Sequence, residues 1–221
     1  MRSSETYLRK VLSGLVHGIR NPLHGISASV SAASCFLEDR PAAQPFLQMI
    51  LKDVSKLTAL MDRTQQLFDD VSPDSTSHPV GAVIGDGLRQ VQDLALASGS
   101  SISLLDETFG LQIRCDSHRL SRAFAALIEN AVESGQGVRV EIAVRRIGIG
   151  ETGVTITDNG AGIAAVDLPR VFEPFFTTRL GKFGLGATLA EAVIKAHGGK
   201  ISITSEEGRG TWVQIFLPID V

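Results

Sequence analysis

Asp158-Asn159-Gly160-Ala161-Gly162-Ile163 follows the alternating run Val154-Thr155-Ile156-Thr157. A period of two among β-branched residues predicts a strand, so Asp158 stands where the strand ends and a glycine turn begins. Glu129-Asn130-Ala131 lies upstream of it. Gly181-Lys182-Phe183-Gly184-Leu185-Gly186 and then Gly208-Arg209-Gly210-Thr211 lie downstream. A carboxylate, an asparagine and three glycine clusters in this order are the parts of one kind of nucleotide pocket.

Around this stretch the patterning predicts a helix over about 80–97, short strands at Ser101–Leu105 and Leu111–Cys115, and a helix over about 117–133 with Asp116 or Ser117 as N-cap. Gly137–Arg146 and Gly153–Asp158 alternate around Gly148–Gly150, which signals a hairpin. After a loop to about Phe183 comes a helix Leu185–His197, stopped by Gly198-Gly199. Ile201–Thr204 and Thr211–Leu217 read as closing strands. Helices and strands mix without strict βαβ alternation. The expected class is α+β: a sandwich of a mixed sheet with helices on one face.

Each pocket element has a chemical reading. A carboxylate fixed at Asp158 can accept a hydrogen bond from the adenine amino group, and a base lacking that donor would leave the acid unpaired. Gly160 and Gly162 would let the backbone pass close to the base. The neutral amide of Asn130, with Glu129 and Glu133 nearby, suits Mg²⁺ when the phosphates bring the negative charge. Gly184, Leu185 and Gly186 lie just before a helix, where N–H groups and the positive helix end can meet phosphate oxygens. Thr211 follows the last glycine pair as the weakest of these signals.

The N-terminal part has another period. Apolar positions from Leu8 to Leu37 advance mostly by alternating threes and fours, which predicts one long helix with a narrow stripe. A second helix is expected after Pro41 and Pro45, with Leu47, Ile50, Val54, Leu57, Met61, Thr64 and Phe68 as its stripe. One such hairpin exposes too much apolar surface to stay alone, and two would close a four-helix bundle, so a homodimer is expected. The expected domains are residues 1–72 (helical hairpin), 73–79 (linker, from Pro, Ser and Asp content) and 80–221 (nucleotide-binding domain). On the first helix His17 shares a face with Arg20, Asn21 and His24 at i+3, i+4 and i+7. Pro22 lacks an N–H and should bend the helix beside them.

Taken together the chain resembles the sensor histidine kinase family, within the larger group of ATPases that includes gyrase and mismatch-repair proteins. The resemblance rests on His17-Gly18-Ile19-Arg20-Asn21-Pro22-Leu23, Leu127-Ile128-Glu129-Asn130-Ala131-Val132-Glu133, Asp158-x-Gly160-x-Gly162, Val171–Arg179, Gly184-Leu185-Gly186, His197-Gly198-Gly199 and Gly208-x-Gly210-Thr211. It implies that ATP and Mg²⁺ are bound, Asn130 holding the metal and Asp158 reading adenine. Ile163–Phe183 would be a mobile lid with Phe172, Phe175 and Phe176 as apolar anchors, and Arg179 and Lys182 would approach the phosphates. It assigns His17 as phosphoacceptor, with Arg20 and Asn21 in the catalytic box and the phosphoryl group passing to an aspartate of a response-regulator receiver domain. Three positions depart from the pattern, one of them, Ala187 where leucine commonly follows Gly186, a packing change only. Gly18 stands where an acid usually follows the histidine, and Ala126 where a first asparagine is usual. They favour the alternative of a degenerate kinase acting as a histidine phosphotransfer or scaffold protein with weak or regulatory ATP binding. A further alternative is an ATPase that works without a phosphohistidine.

Composition bounds the rest. The chain has 221 residues, 43% hydrophobic, with a formal net charge of −3. It has no basic run, so nucleic acid or an anionic membrane is not the expected partner. Cys35 and Cys115 form no CxxC pair and read as reduced, partly buried thiols. Apolar stretches fall short of the roughly 20 residues that span a bilayer, and the N-terminus has no signal-peptide core. The chain therefore reads as soluble and cytoplasmic, without direct membrane insertion and open to control by an upstream sensory partner.

Overall fold

The computed structural model describes residues 2–37, 40, 42–68, 76–179 and 182–220, and for 2–18, 59–60 and 62–68 it gives the helical backbone alone. The chain divides into two units, Met1–Asp70 and Val71–Val221.

In the second unit Asp116 starts the organising element. Its carboxylate accepts the N–H of Arg119 at 2.9 Å and caps α4, Ser117–Val132, satisfying a donor that the first helical turn leaves unpaired. Leu120, Phe124, Leu127, Ile128 and Ala131 recur at helical spacing and are all buried. They pack between α3 (Val80–Ala97), α5 (Gly186–Ala196) and a five-stranded sheet. The sheet has the order β2-β4-β5-β7-β6, with β2 at Ser101–Asp106, β4 at Arg139–Ile147, β5 at Glu151–Asp158, β6 at Lys200–Glu206 and β7 at Gly210–Pro218. β2 runs parallel to β4 and the other pairs are antiparallel, so the sheet is mixed. Val140, Ile142, Val144, Val154, Ile156, Val213, Ile215 and Leu217 alternate inward and meet the helices. The opposite face shows Glu141, Arg145, Trp212 and Gln214 to solvent. One covered face and one wet face give the α+β sandwich expected from the sequence.

One expectation is corrected. Part of the stretch read as a linker, residues 76–79, is strand β1, Thr76–Pro79, paired antiparallel with β3, Gln112–Cys115. Its polar composition hid it, because its strand state comes from backbone pairing and not from an apolar face. The remaining linker positions 73–75 lie outside the described residues.

The first unit is a helical hairpin, α1 (Arg2–Phe36) packed on α2 (Gln44–Phe68). The helix α1 continues through Pro22. The Gln44 side chain donates to the Ser34 and Leu37 carbonyls, each at 3.3 Å, tying the second helix to the end of the first. Leu23 and Val54 are buried within the hairpin, whereas the stripe residues Ile19, Ile26, Ile50 and Leu57 remain exposed. Stripe positions before residue 19, and Thr64 and Phe68, lie outside the described side chains. Cys115 is buried and Cys35 exposed, so only one of the two thiols is covered as expected. Burial, aided by Asp116, pushes the Cys115 thiol up to about 11. Among the described residues no helix is long and apolar enough to cross a membrane.

Candidate functional site

β5 delivers Asp158 to the end of the sheet, where it is 7% exposed. Its Oδ1 accepts the Gly160 N–H at 2.9 Å and the Ser134 hydroxyl at 3.1 Å. Burial pushes the carboxyl above its ordinary value, while the Gly160, Ser134 and Thr211 hydrogen bonds and the Arg179 charge pull it back down. Thr211 pairs with Asp158 across β5 and β7, and its hydroxyl lies 3.0 Å from Ser205 Oγ. Asn159 closes the adjoining strand by accepting the Arg139 N–H at 2.7 Å. Asp158, Gly160, Gly162 and Thr211 therefore lie together at this end of the sheet.

Both glycines have close neighbours in the fold. A Cβ built at Gly160 would lie 1.7 Å from Ser134 Oγ. At Gly162, whose φ is +69°, it would lie 2.1 Å from the Glu206 carbonyl oxygen. Both glycines clear the way for their neighbours in the fold, Gly160 for Ser134 just past the end of α4 and Gly162 for the β6–β7 turn. Gly208 reinforces that contact by donating to the Ala161 carbonyl at 2.7 Å.

A second cluster forms where α4 meets α5. A Cβ at Gly186 would sit 3.7 Å from Asn130 Nδ2 and 3.8 Å from its Oδ1, so the exposed Asn130 amide faces the start of α5. Leu185, buried at the N-cap, offers no side-chain acceptor to the first turn, which leaves that turn suited to an anion. The end of α4 joins the two clusters, since Asn130 in its last turn faces α5 and Ser134, just past its C-cap, reaches Asp158. A neutral amide beside an uncapped helix start fits a metal-bound polyphosphate, and the buried acid fits a base with an amino group.

The cations lie elsewhere than on an open phosphate site. Lys182 Nζ donates to Glu129 at 3.0 Å and to Glu133 at 2.5 Å. Burial alone would lower the Lys182 ammonium, but both carboxylates outweigh it and hold the group above its ordinary value. Arg179 donates to the Asn130 carbonyl at 3.1 Å and lies 3.8 Å from Glu133. Between them, Leu180 and Gly181 lie outside the described residues.

Among its described residues, the segment from Ile163 to Phe183 holds one short 3-10 turn, Leu168–Arg170. Arg170 stacks over the Phe176 ring, 4.1 Å from its centroid, and Thr188 on α5 donates to the Phe172 carbonyl at 3.1 Å. Phe175 adopts φ +66°, a left-handed conformation costly for a bulky residue, and its N–H donates to the Gly184 carbonyl at 3.0 Å. On the first unit Arg20 is half-buried, and Asn21 and His24 are exposed. The backbone of His17 and Gly18 is helical, and the His17 side chain lies outside the described residues.

Ser134 and Ser205 escaped the sequence reading. Ser134 follows the end of a helix, and Ser205 sits in an ordinary polar-apolar alternation. Only the fold brings the first to Asp158 and the second to the Ile163 N–H, at 2.9 Å.

Residues 115–221 match the family of histidine kinase-, DNA gyrase B-, and HSP90-like ATPases. The sensor histidine kinase ZraS of Escherichia coli is 28% identical over 218 residues, covering 97% of this chain and 46% of that protein. The chain thus spans about half the length of this curated relative. Full-length ShkA, solved with AMPPNP, covers 96% of the chain at a TM-score of 0.83 and 20% identity, with 46% of ShkA matched. Histidine kinase ThkA, solved with the response regulator protein TrrA, covers 99% of the chain at a TM-score of 0.69 and 19% identity, with 64% of that chain matched. These two likenesses bear on the fold. Residues 115–221 are thus similar to that ATPase family, and nearly the whole chain is similar to sensor histidine kinases.

Proposed function

We propose that the chain is the core of an ATP-dependent protein-histidine kinase that phosphorylates His17 and passes the phosphoryl group to an aspartate of a response-regulator receiver domain. The observation that carries this reading is the convergence on α4 of the buried Asp158, through Ser134, and of the uncapped start of α5, facing Asn130. The reading gains support from the ATPase family match and from the kinase–regulator pair formed by ThkA and TrrA.

In this mechanism Asp158 accepts the adenine amino group and the first turn of α5 receives phosphate oxygens. The Asn130 amide oxygen would hold Mg²⁺, which supplies neutralisation of phosphate charge when bound. A neutral His17 imidazole attacks the γ-phosphorus. An N–P bond forms, the bond to the β-phosphate oxygen breaks and ADP leaves, so positioning does most of the work. The imidazole also loses its ring proton, which passes to solvent water because Gly18 offers no carboxylate to take it. Arg20 and Asn21 share the His17 face, and Asn21 would position a water for dephosphorylating the partner. The segment 163–183 would act as the lid, with Arg179 and Lys182 leaving their carboxylates for the phosphates. The exposed Ile19, Ile26, Ile50 and Leu57 support a homodimer in which two hairpins close a four-helix bundle.

Incubation with γ-labelled ATP and Mg²⁺ tests the proposal. The expected result is acid-labile label on the wild type that His17→Gln and Asn130→Ala both lose. Binding of ATP without label, together with phosphate taken from a phosphorylated receiver, would refute it. The protein would then be the phosphotransfer or scaffold alternative that Gly18 and Ala126 favour.

A further inference from the structure

Ser134 has one hydroxyl proton and two acceptors, the Ala131 carbonyl at 2.7 Å and Asp158 Oδ1 at 3.1 Å. The Ala131 carbonyl already receives the Ser134 backbone N–H at 3.1 Å, so it can spare the hydroxyl. Given to the ionised Asp158 carboxylate, the same proton makes a stronger, charge-assisted bond. Ser134 is 9% exposed, so water is a poor substitute. Its backbone carbonyl accepts the Ala161 N–H at 3.0 Å, which holds the turn after Asp158 from the other side. Nothing larger than glycine at position 160 would leave room for this hydroxyl.

We propose that Ser134 is a positioning residue that sets the purine specificity of the site: its hydroxyl and the Gly160 N–H occupy Asp158 Oδ1, turning Oδ2 to the exocyclic amino group of adenine. This rests on the reading that Asp158 receives adenine. Ser134 keeps the acid ionised although buried and fixes its rotation. A base with a carbonyl oxygen in place of the amino group then faces a carboxylate that cannot turn away or readily take a proton. Asp158 supplies the selectivity, and Ser134 supplies the geometry that makes it steep.

The test measures binding of ADP and of IDP, which carries a carbonyl oxygen at that ring position, to the full chain across mildly acid to neutral pH. Neither nucleotide can donate a γ-phosphoryl group, so binding is read free of turnover. The wild type is expected to prefer ADP and to lose it on acidification. In Ser134→Ala, ADP affinity falls on the order of 10-fold, the loss expected for a hydrogen bond to a charged group. IDP affinity falls less, and loss of ADP binding begins at a higher pH. Ser134→Cys, nearly isosteric but a much weaker donor, should shift both readouts the same way and stands in if the alanine variant does not fold. An unchanged ADP-to-IDP ratio with an unmoved acid limb overturns the proposal, as does an equal loss of both nucleotides, the mark of a merely structural serine. A wild type that binds neither nucleotide, or both equally, fails at Asp158 itself and removes the reading beneath the proposal.

Discussion

Replacing Gly162 with alanine separates two costs that usually arrive together. Its φ of +69° is the left-handed region, and the new Cβ would lie 2.1 Å from the Glu206 carbonyl oxygen and 2.8 Å from its carbon. Gly208 is the natural control, because its φ is +78° and a Cβ there meets nothing within 4 Å. The left-handed conformation costs a non-glycine residue about 1–2 kcal/mol, partly offset by a stiffer unfolded chain, about 0.4–1 kcal/mol. Gly208→Ala should therefore lose about 1 kcal/mol. Gly162→Ala adds an overlap with backbone, which cannot swing aside as a side chain can. Overpacking of this kind costs about 1–3 kcal/mol, so its total is about 2–4 kcal/mol. Urea unfolding followed by Trp212 fluorescence measures the difference, since the chain has one tryptophan and it lies on β7 of the affected sheet. The midpoint should fall with an unchanged slope. ADP binding should weaken too, because pushing Glu206 outward moves the β6–β7 turn and Thr211 beside Asp158. Equal losses for the two variants would refute the argument that Gly162 is required by close packing.

Asp158→Asn should trade binding for stability. The folded-state value of Asp158 lies above its ordinary 3.8, so its contribution to stability is full below 3.8 and lost as pH rises through the folded value. At neutral pH the buried charge is a net cost. The variant should melt higher than wild type at pH 7 and lose this advantage below about pH 3.8, while discriminating poorly between ADP and IDP; a lower melting point at neutral pH would contradict the sign. Lys182→Met breaks two ion pairs whose side chains are 37% (lysine), 30% and 19% exposed, so solvent screens them and unfolding should lose about 1 kcal/mol or less. A loss of several kcal/mol would show that this cluster holds the domain together. Gly18→Glu should accelerate labelling of His17 by about 10²-fold or more, the contribution of a positioned base. An unchanged rate would mean that the missing acid does not limit the reaction.

Where an element's own residues decide its state, the sequence is readable. The helix α3 starts at Val80 and ends at Ala97 as its apolar spacing predicts, and α4 begins at an Asp116 cap visible before any fold is considered. Asp158, Gly160, Gly162, Asn130 and Gly186 could be listed from spacing alone, because turns and strand ends announce themselves through glycine and polar residues. Strand β1 could not, since Thr76–Pro79 has no apolar face and becomes a strand only by pairing with β3. The partnership of Ser134 with Asp158 bridges 24 positions, and that of Gly162 with Glu206 is wider still. Lys182 and Arg179 were legible as cations, but their attachment to Glu129, Glu133 and the Asn130 carbonyl depends on which helix face meets the loop.

The order of the sheet has a consequence for how the site comes into being. β4 with β5, and β6 with β7, are neighbours along the chain, whereas β5 must find β7 across the whole loop and α5. That distant pairing sets Thr211 against Asp158. Chain closure of this range is slow compared with hairpin formation, so the base pocket should be among the last features to assemble. A nascent or partly folded chain would hold its hairpins and helices yet offer no pocket. A nucleotide held as proposed would then bind the finished domain alone and shift the folding equilibrium by mass action, making it a gauge of complete folding.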